Sequence, residues 1–184
     1  MITSLEEAGA YLAERSSQPL RPYSTQDFGR AEFHEARSVL VPESQAQALL
    51  GDVRSRLGPG LVAFIGTQNS LAKPRAKGVE VVVGCGASQF DILRIAASDA
   101  VNFDMVTEDL IRKLQAWDAT LGVDIFHAET DTIQLRLKSL PAELLAFAQD
   151  VYEFCPDVVD QGVGSVQKLA EDIRTSGAVF LWWD

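Results

Sequence analysis

Residues 123–138 read VDIFHAETDTIQLRLK. Two strand-like runs, 123–128 and 132–138, are separated by Glu129-Thr130-Asp131 alone. In the second run Ile133, Leu135 and Leu137 alternate with Gln134, Arg136 and Lys138, the period-two pattern of a strand with one buried and one wet face. Three residues cannot hold a crossover helix, so the runs predict an antiparallel hairpin. A hairpin here breaks the strict alternation of strand and helix that a doubly wound parallel sheet requires.

Downstream, Pro141 opens a helix whose inner face is Leu144, Leu145, Ala148, Val151, Tyr152 and Cys155, and Pro156 ends it. Ser165 caps a last helix with Val166, Leu169, Ala170 and Ile173 inward and Gly177 behind it. Residues 178–183 form a closing strand. Upstream, Leu110, Ile111, Leu114, Trp117 and Leu121 share one face of a helix starting at Thr107 and stopped by Gly122. Farther back, Ser88 caps a helix to about Ala97, and residues 79–83 and 61–65 are short apolar strands. Residues 66–78 form a polar connection. Residues 43–57 are an amphipathic helix, 33–41 a strand, 16–30 a proline-containing loop, and 4–16 a helix with a Ser4/Glu7 capping-box pattern. The fold expected is α+β, one mixed or mainly antiparallel sheet of five to six strands covered by helices. No repeat or linker divides the chain, so 1–184 reads as a single domain, with its weakest boundary near Gly86.

A chain of 184 residues, 47% hydrophobic and 23% charged, is large enough for its own core and is neither disordered nor a coiled coil. Its net charge is −10. Nucleic acid and anionic membrane surfaces favour clustered Lys and Arg, so neither is expected as a partner. Such acidity serves solubility and suits a basic protein partner. The first residues carry no basic segment ahead of an apolar run, and no stretch approaches the ~20 apolar residues of a membrane span. Two cysteines, Cys85 and Cys155, read as reduced thiols, and the expected location is cytoplasmic.

Candidate chemistry is sparse. Gly84-Cys85-Gly86 stands between a strand and a helix, but the dinucleotide fingerprint fails at Gln89, which leaves a flexible turn. Cys155 falls at a helix C-terminus, where the dipole opposes a thiolate, and on the apolar face. His34 and His127 lack metal-ligand spacing. The densest stretch is 151–162, VYEFCPDVVDQG. There Glu153, Asp157 and Asp160 offer three carboxylates for a hard cation or an acid/base pair. The same acids after Pro156 also suit Asx-turns, with Gly162 as the permissive residue. Trp182 and Trp183 are adjacent on a strand and point to opposite faces. One fills the core, and the other is covered by a helix or stands as an anchor for a partner.

The stretches VNFDMVTEDLIRKLQAWD (101–118), LPAELLAFAQDVYEFCPDVVDQGVGSV (140–166) and LWWD (181–184) resemble a bacterial family, domain of unknown function 4253. The resemblance covers about residues 90–184. It matches at Asn102, Trp117, Asp118, Tyr152, Glu153, Phe154, Cys155, Pro156, Asp157, Asp160, Gln161, Gly162, Trp182, Trp183 and Asp184. It implies a bacterial origin and a variable front part, residues 1–88, attached to a family-like region, 89–184. The family carries no assigned activity. If the stretch 153–162 lies beside the two tryptophans, an aromatic floor and a carboxylate rim would form a small polar pocket or a binding face. The binding residues expected are Glu153, Asp157, Asp160, Gln161, Trp182 and Trp183, with no metal and no cofactor. The function expected is a non-catalytic module binding a basic protein or a small polar ligand. The alternative is a hydrolase using Glu153, Asp157 and Asp160, with or without a metal. A third reading makes the same residues a folding signature.

Overall fold

A computed structural model describes residues 1–24, 32–68 and 77–184 of the chain. The elements run α1 (Leu5–Ser16), β1 (Arg21–Ser24), β2 (Glu32–Val41), α2 (Glu43–Arg54), β3 (Leu61–Ile65), β4 (Val79–Cys85), α3 (Asp91–Ala96), α4 (Thr107–Leu121), β5 (Val123–Ala128), β6 (Thr132–Leu137), α5 (Leu144–Phe154), α6 (Val166–Ser176) and β7 (Ala178–Trp182). The fold is α+β, with one mixed sheet in the order β1-β2-β4-β3-β5-β6-β7. β1–β2, β2–β4, β3–β4 and β6–β7 are antiparallel. β3 and β5 are parallel, with Ile65 opposite His127. The 123–138 stretch forms adjacent strands β5 and β6, as its alternation predicts.

The strand count corrects the expectation of five to six. The seventh strand is β1, inside the stretch read as a loop. Four residues are too few to show a period, and Pro22 argues against a strand unless it lies at an edge, which is where β1 lies. The pairing slips between Pro22 and Tyr23. Tyr23, 1% exposed, is what the short strand buries. Most of the 66–78 connection lies outside the described residues, as does the side chain of His34.

Helix ends follow local chemistry. Ser4 Oγ accepts the Glu7 N–H at 3.2 Å, and Glu7 reaches back to the Thr3 N–H at 3.0 Å, a reciprocal cap displaced by one residue. That Thr3 amide holds the Glu7 carboxyl below its usual range. At α3 the expected cap is reversed: the Asp91 carboxylate accepts the Ser88 N–H at 2.9 Å, and the helix starts at Asp91. α2 stops at Arg54 and α5 starts at Leu144, each three residues inside the expected span. Gly122 ends α4 at φ 67° and ψ 129°, a positive-φ conformation open to glycine but not the left-handed helical one a C′ glycine usually takes.

The chain packs as two compact units, Met1–Ala97 with His127–Thr130, and Ser98–Phe126 with Asp131–Asp184. In the first, β4 is buried from Val79 to Gly84 on consecutive residues, so both of its faces are covered. In the second, Ile133, Leu135, Val179 and Leu181 are buried while their strand neighbours are partly or fully exposed. One face of β6–β7 is therefore open.

Gly78 adopts φ +111°, and a Cβ there would meet the Val41 carbonyl oxygen at 2.8 Å. Gly51, inside α2, has nothing within 4 Å of a Cβ. Thermal unfolding should therefore separate them. Gly78→Ala is expected to lose about 1–3 kcal/mol, and Gly51→Ala to gain about 0.5–1 kcal/mol.

Candidate functional site

Three segments of the second unit converge at the end of α5. Phe147, Val151 and Phe154 form its buried stripe. Trp117 of α4 packs edge-to-face on Phe147 and Phe154, with centroids at 5.2 and 5.6 Å. Phe154 in turn meets Trp183 edge-to-face at 5.5 Å. Asp150 accepts from Trp117 Nε1 at 2.7 Å and from Lys113 Nζ at 2.6 Å. The Lys113 ammonium also lies over the Trp117 and Phe154 rings, 5.6 and 5.7 Å from their centroids. One carboxylate thus fixes the indole and the cation that cover the aromatic column.

Beyond Phe154 the helix cannot continue, because Pro156 lacks an N–H and restricts Cys155. Residues Val158–Val163 make a π-helical turn, closed by Gly164 at φ 83°. This turn and the last strand are stitched together. The Cys155 thiol donates to the Trp182 carbonyl at 3.1 Å and accepts the Trp182 N–H at 3.3 Å. Trp183 Nε1 donates to the Phe154 carbonyl at 3.3 Å. Asp157 Oδ2 accepts the Asp184 N–H at 3.0 Å, and its Oδ1 accepts from Gln161 Nε2 at 3.0 Å.

The predicted residues therefore gather, but they divide by role. Asp157, 8% exposed, and Trp183, 4% exposed, are buried. Glu153, Asp160 and Gln161 face solvent, and Trp182 is partly exposed. Glu153 accepts from Gln149 at 3.1 Å, and Asp160 accepts from the Tyr152 phenol at 3.2 Å. That bond and the Asp160 charge raise the Tyr152 phenol above its ordinary value. Each carboxylate has its own partner. Among the described residues no group of three or more His, Cys, Asp or Glu side chains is placed to hold a metal ion. Burial pushes the Cys155 thiol up to about 12, with the Asp157 charge adding to it against the Trp182 and Val158 backbone hydrogen bonds. The adjacent tryptophans take opposite faces, as a strand dictates.

Sequence reasoning missed a second polar cluster, in the first unit. Glu80, 2% exposed, accepts the Ser38 hydroxyl at 2.6 Å and the Thr67 N–H at 3.4 Å. His127, 1% exposed, places Nε2 2.9 Å from Glu129 Oε1, which also accepts the Gln68 N–H at 3.2 Å. Among the described residues, buried His127 Nδ1 has no hydrogen-bond partner. Burial, with the Glu80 and Glu129 charges, pushes the Tyr23 phenol far up, so it stays protonated. The readable signal was Glu80 itself, a lone charge inside the apolar run 79–83.

Charge is divided unevenly. The second unit holds fifteen acidic and six basic residues, a net −9, against eleven and ten in the first, a net −1.

A family model described as Domain of unknown function (DUF4253) matches residues 81–184, more than half of the chain. The chain belongs to this family. The match opens within β4 and takes in α3 and every element of the second unit, so the turn, the aromatic column and the last strand all lie inside the family region. It begins nine residues ahead of the span suggested by the sequence resemblance. No curated protein and no solved structure matches the chain.

Two measurements follow from this geometry. Asp157→Ala is expected to cost about 1–3 kcal/mol in thermal or denaturant unfolding, because it strands the Asp184 N–H. Asp160→Ala, on the surface, should leave the midpoint nearly unchanged. In the native state a thiol reagent near neutral pH should label exposed Cys85 quickly and Cys155 only as the protein unfolds, giving one fast equivalent rather than two.

Proposed function

We propose that this protein is a non-catalytic binding module whose acidic second unit takes a basic protein partner. The observation that carries the reading is the placement of charge: a net −9 falls on the unit that also presents an open sheet face. On that face Phe180 is 48% exposed and Trp182 partly so, an aromatic anchor of the kind that supplies binding energy at interfaces. Glu153, Asp160 and Gln161 are the solvent-facing polar residues of the neighbouring turn. Asp157 and Trp183 hold that turn in place from behind. Long-range attraction between an acidic face and a basic partner speeds encounter and weakens with salt. A bacterial, cytoplasmic setting belongs with this reading.

Hydrolysis by Glu153, Asp157 and Asp160 is the weaker reading, because the three carboxylates serve separate partners and Asp157 is buried.

The test is affinity capture from the native host's soluble extract at low and at high salt, with wild type and Trp182→Ala compared. A basic protein held at low salt, released at high salt and held less well by Trp182→Ala is the expected result. An extract from which nothing is enriched at low salt would overturn the proposal.

A further inference from the structure

β7 lies at the end of the strand order, so one of its edges faces away from β6. In an antiparallel pair alternate residues turn their main-chain groups toward the partner strand. The Trp183 N–H reaches the Asp131 carbonyl at 3.1 Å, and the Leu137 N–H reaches the Gly177 carbonyl at 2.8 Å. With Leu181 opposite Ile133 and Val179 opposite Leu135, the odd-numbered residues of β7 face β6. Ala178, Phe180 and Trp182 therefore turn their N–H and C=O groups to the outer edge.

Two of these three are occupied by side chains. Cys155 Sγ bonds both the N–H and the carbonyl of Trp182. Ser176 Oγ accepts the Ala178 N–H at 3.1 Å and stands 3.4 Å from its carbonyl. An open sheet edge is a template for unwanted pairing, and covering it at both ends is a recognised defence. Among the described residues neither main-chain group of Phe180, between them, has a hydrogen bond outside the ladder, and the residue is 48% exposed. The edge is thus closed except for one residue. Its Trp182 end adjoins the turn carrying Asp157 and exposed Asp160, with Asp184 following on the strand. Arg136, on the open face, lies 3.8 Å from Asp124 and over the Phe126 ring at 4.0 Å.

We infer that this gap is the docking point: an extended basic segment of the partner protein adds to the sheet at Phe180. It exchanges two main-chain hydrogen bonds there, sets apolar side chains on Phe180 and Trp182, and places Lys or Arg toward Asp160 and Asp184. Strand addition of this kind takes affinity from the main chain and specificity from alternate side chains. The two caps limit the contact to one residue pair, which disfavours long, indiscriminate pairing. The inference rests on the binding-module reading and names how the partner is held.

The test uses a short peptide of alternating Lys and Val as probe, with two controls: the Glu/Val counterpart and the Lys/Val peptide interrupted by Pro. Binding is measured by calorimetry at low salt. Wild type should bind the Lys/Val peptide and neither control. Phe180→Pro removes the outward N–H without touching the β6 ladder. Phe180→Lys keeps both main-chain groups and opposes the probe's charge. Each variant should bind at least about tenfold more weakly, with circular dichroism confirming the fold. If Phe180→Pro does not fold, Phe180→Lys decides. Equal binding by wild type and the variants would overturn edge docking while leaving the acidic-module reading standing. So would no binding by wild type, or equal binding of the proline-interrupted peptide. A wild-type dimer in sedimentation that Phe180→Pro dissolves would assign the gap to a second copy, and that too would overturn the inference.

Discussion

Residues 154–157 grip residues 182–184 through four hydrogen bonds, two of them made by a single thiol. That clamp is the constraint on which the second unit depends. β7 has a strand neighbour on one side only, and an edge strand of five residues gains little from its ladder alone. Pro156 stops α5 where Cys155 and Asp157 flank the break, so the helix end becomes a set of partners for the exposed edge. A thiol suits this place because it is small, apolar enough to be buried, and still able to donate to one main-chain group while accepting from another. The same burial pushes the thiol up, which disfavours the thiolate that a nucleophile needs.

The clamp also explains why the second unit can leave one sheet face open. Trp183 points inward to Phe154, Phe154 to Trp117, and Trp117 to Phe147, so α4, α5 and β7 share one aromatic column. Lys113 and Asp150 close the column with a paired charge instead of more apolar surface. With the inner face supplying cohesion, the outer face is free to carry Phe180 and partly exposed Trp182. A residue pair as short as Trp182-Trp183 therefore does two jobs, because strand geometry sends the two indoles to opposite sides.

How much of this was legible in the sequence depended on local periodicity. β6 was plain because Ile133, Leu135 and Leu137 alternate cleanly with polar residues. α4 and α6 were plain because a stripe, a starting residue and a glycine stop coincide at each. β1 was not, since four residues with a proline carry no period and are strand only because β2 lies beside them. The gathering of Cys155, Asp157, Trp182 and Trp183 was anticipated from residue types, but their division was not. Nothing in the string Phe-Cys-Pro-Asp says that Asp157 turns inward to an amide of residue 184 while Asp160 turns out to Tyr152. The Glu80 and His127 cluster was missed for a related reason. Its members come from β2, β4, β5, the turn after β5 and the loop after β3, and only Glu80 violates its local pattern.

The two units solve opposite electrostatic problems. In the first, charge is nearly balanced, buried Glu80 is held by a hydroxyl and an amide, and part-buried Glu129 by an imidazole and an amide. Such burial is tolerable only when the charged oxygens are bonded. In the second, a net −9 on a unit this small is self-repelling, so acids are kept at the surface or spent on fixed donors. Pairs such as Lys113–Asp150 offset part of this self-repulsion, and under the proposed reading the remainder draws the unit toward a basic partner. It acts at long range and is not selective. In that reading selectivity comes from short range, from the Phe180 main-chain groups and the Phe180 and Trp182 side chains of β7.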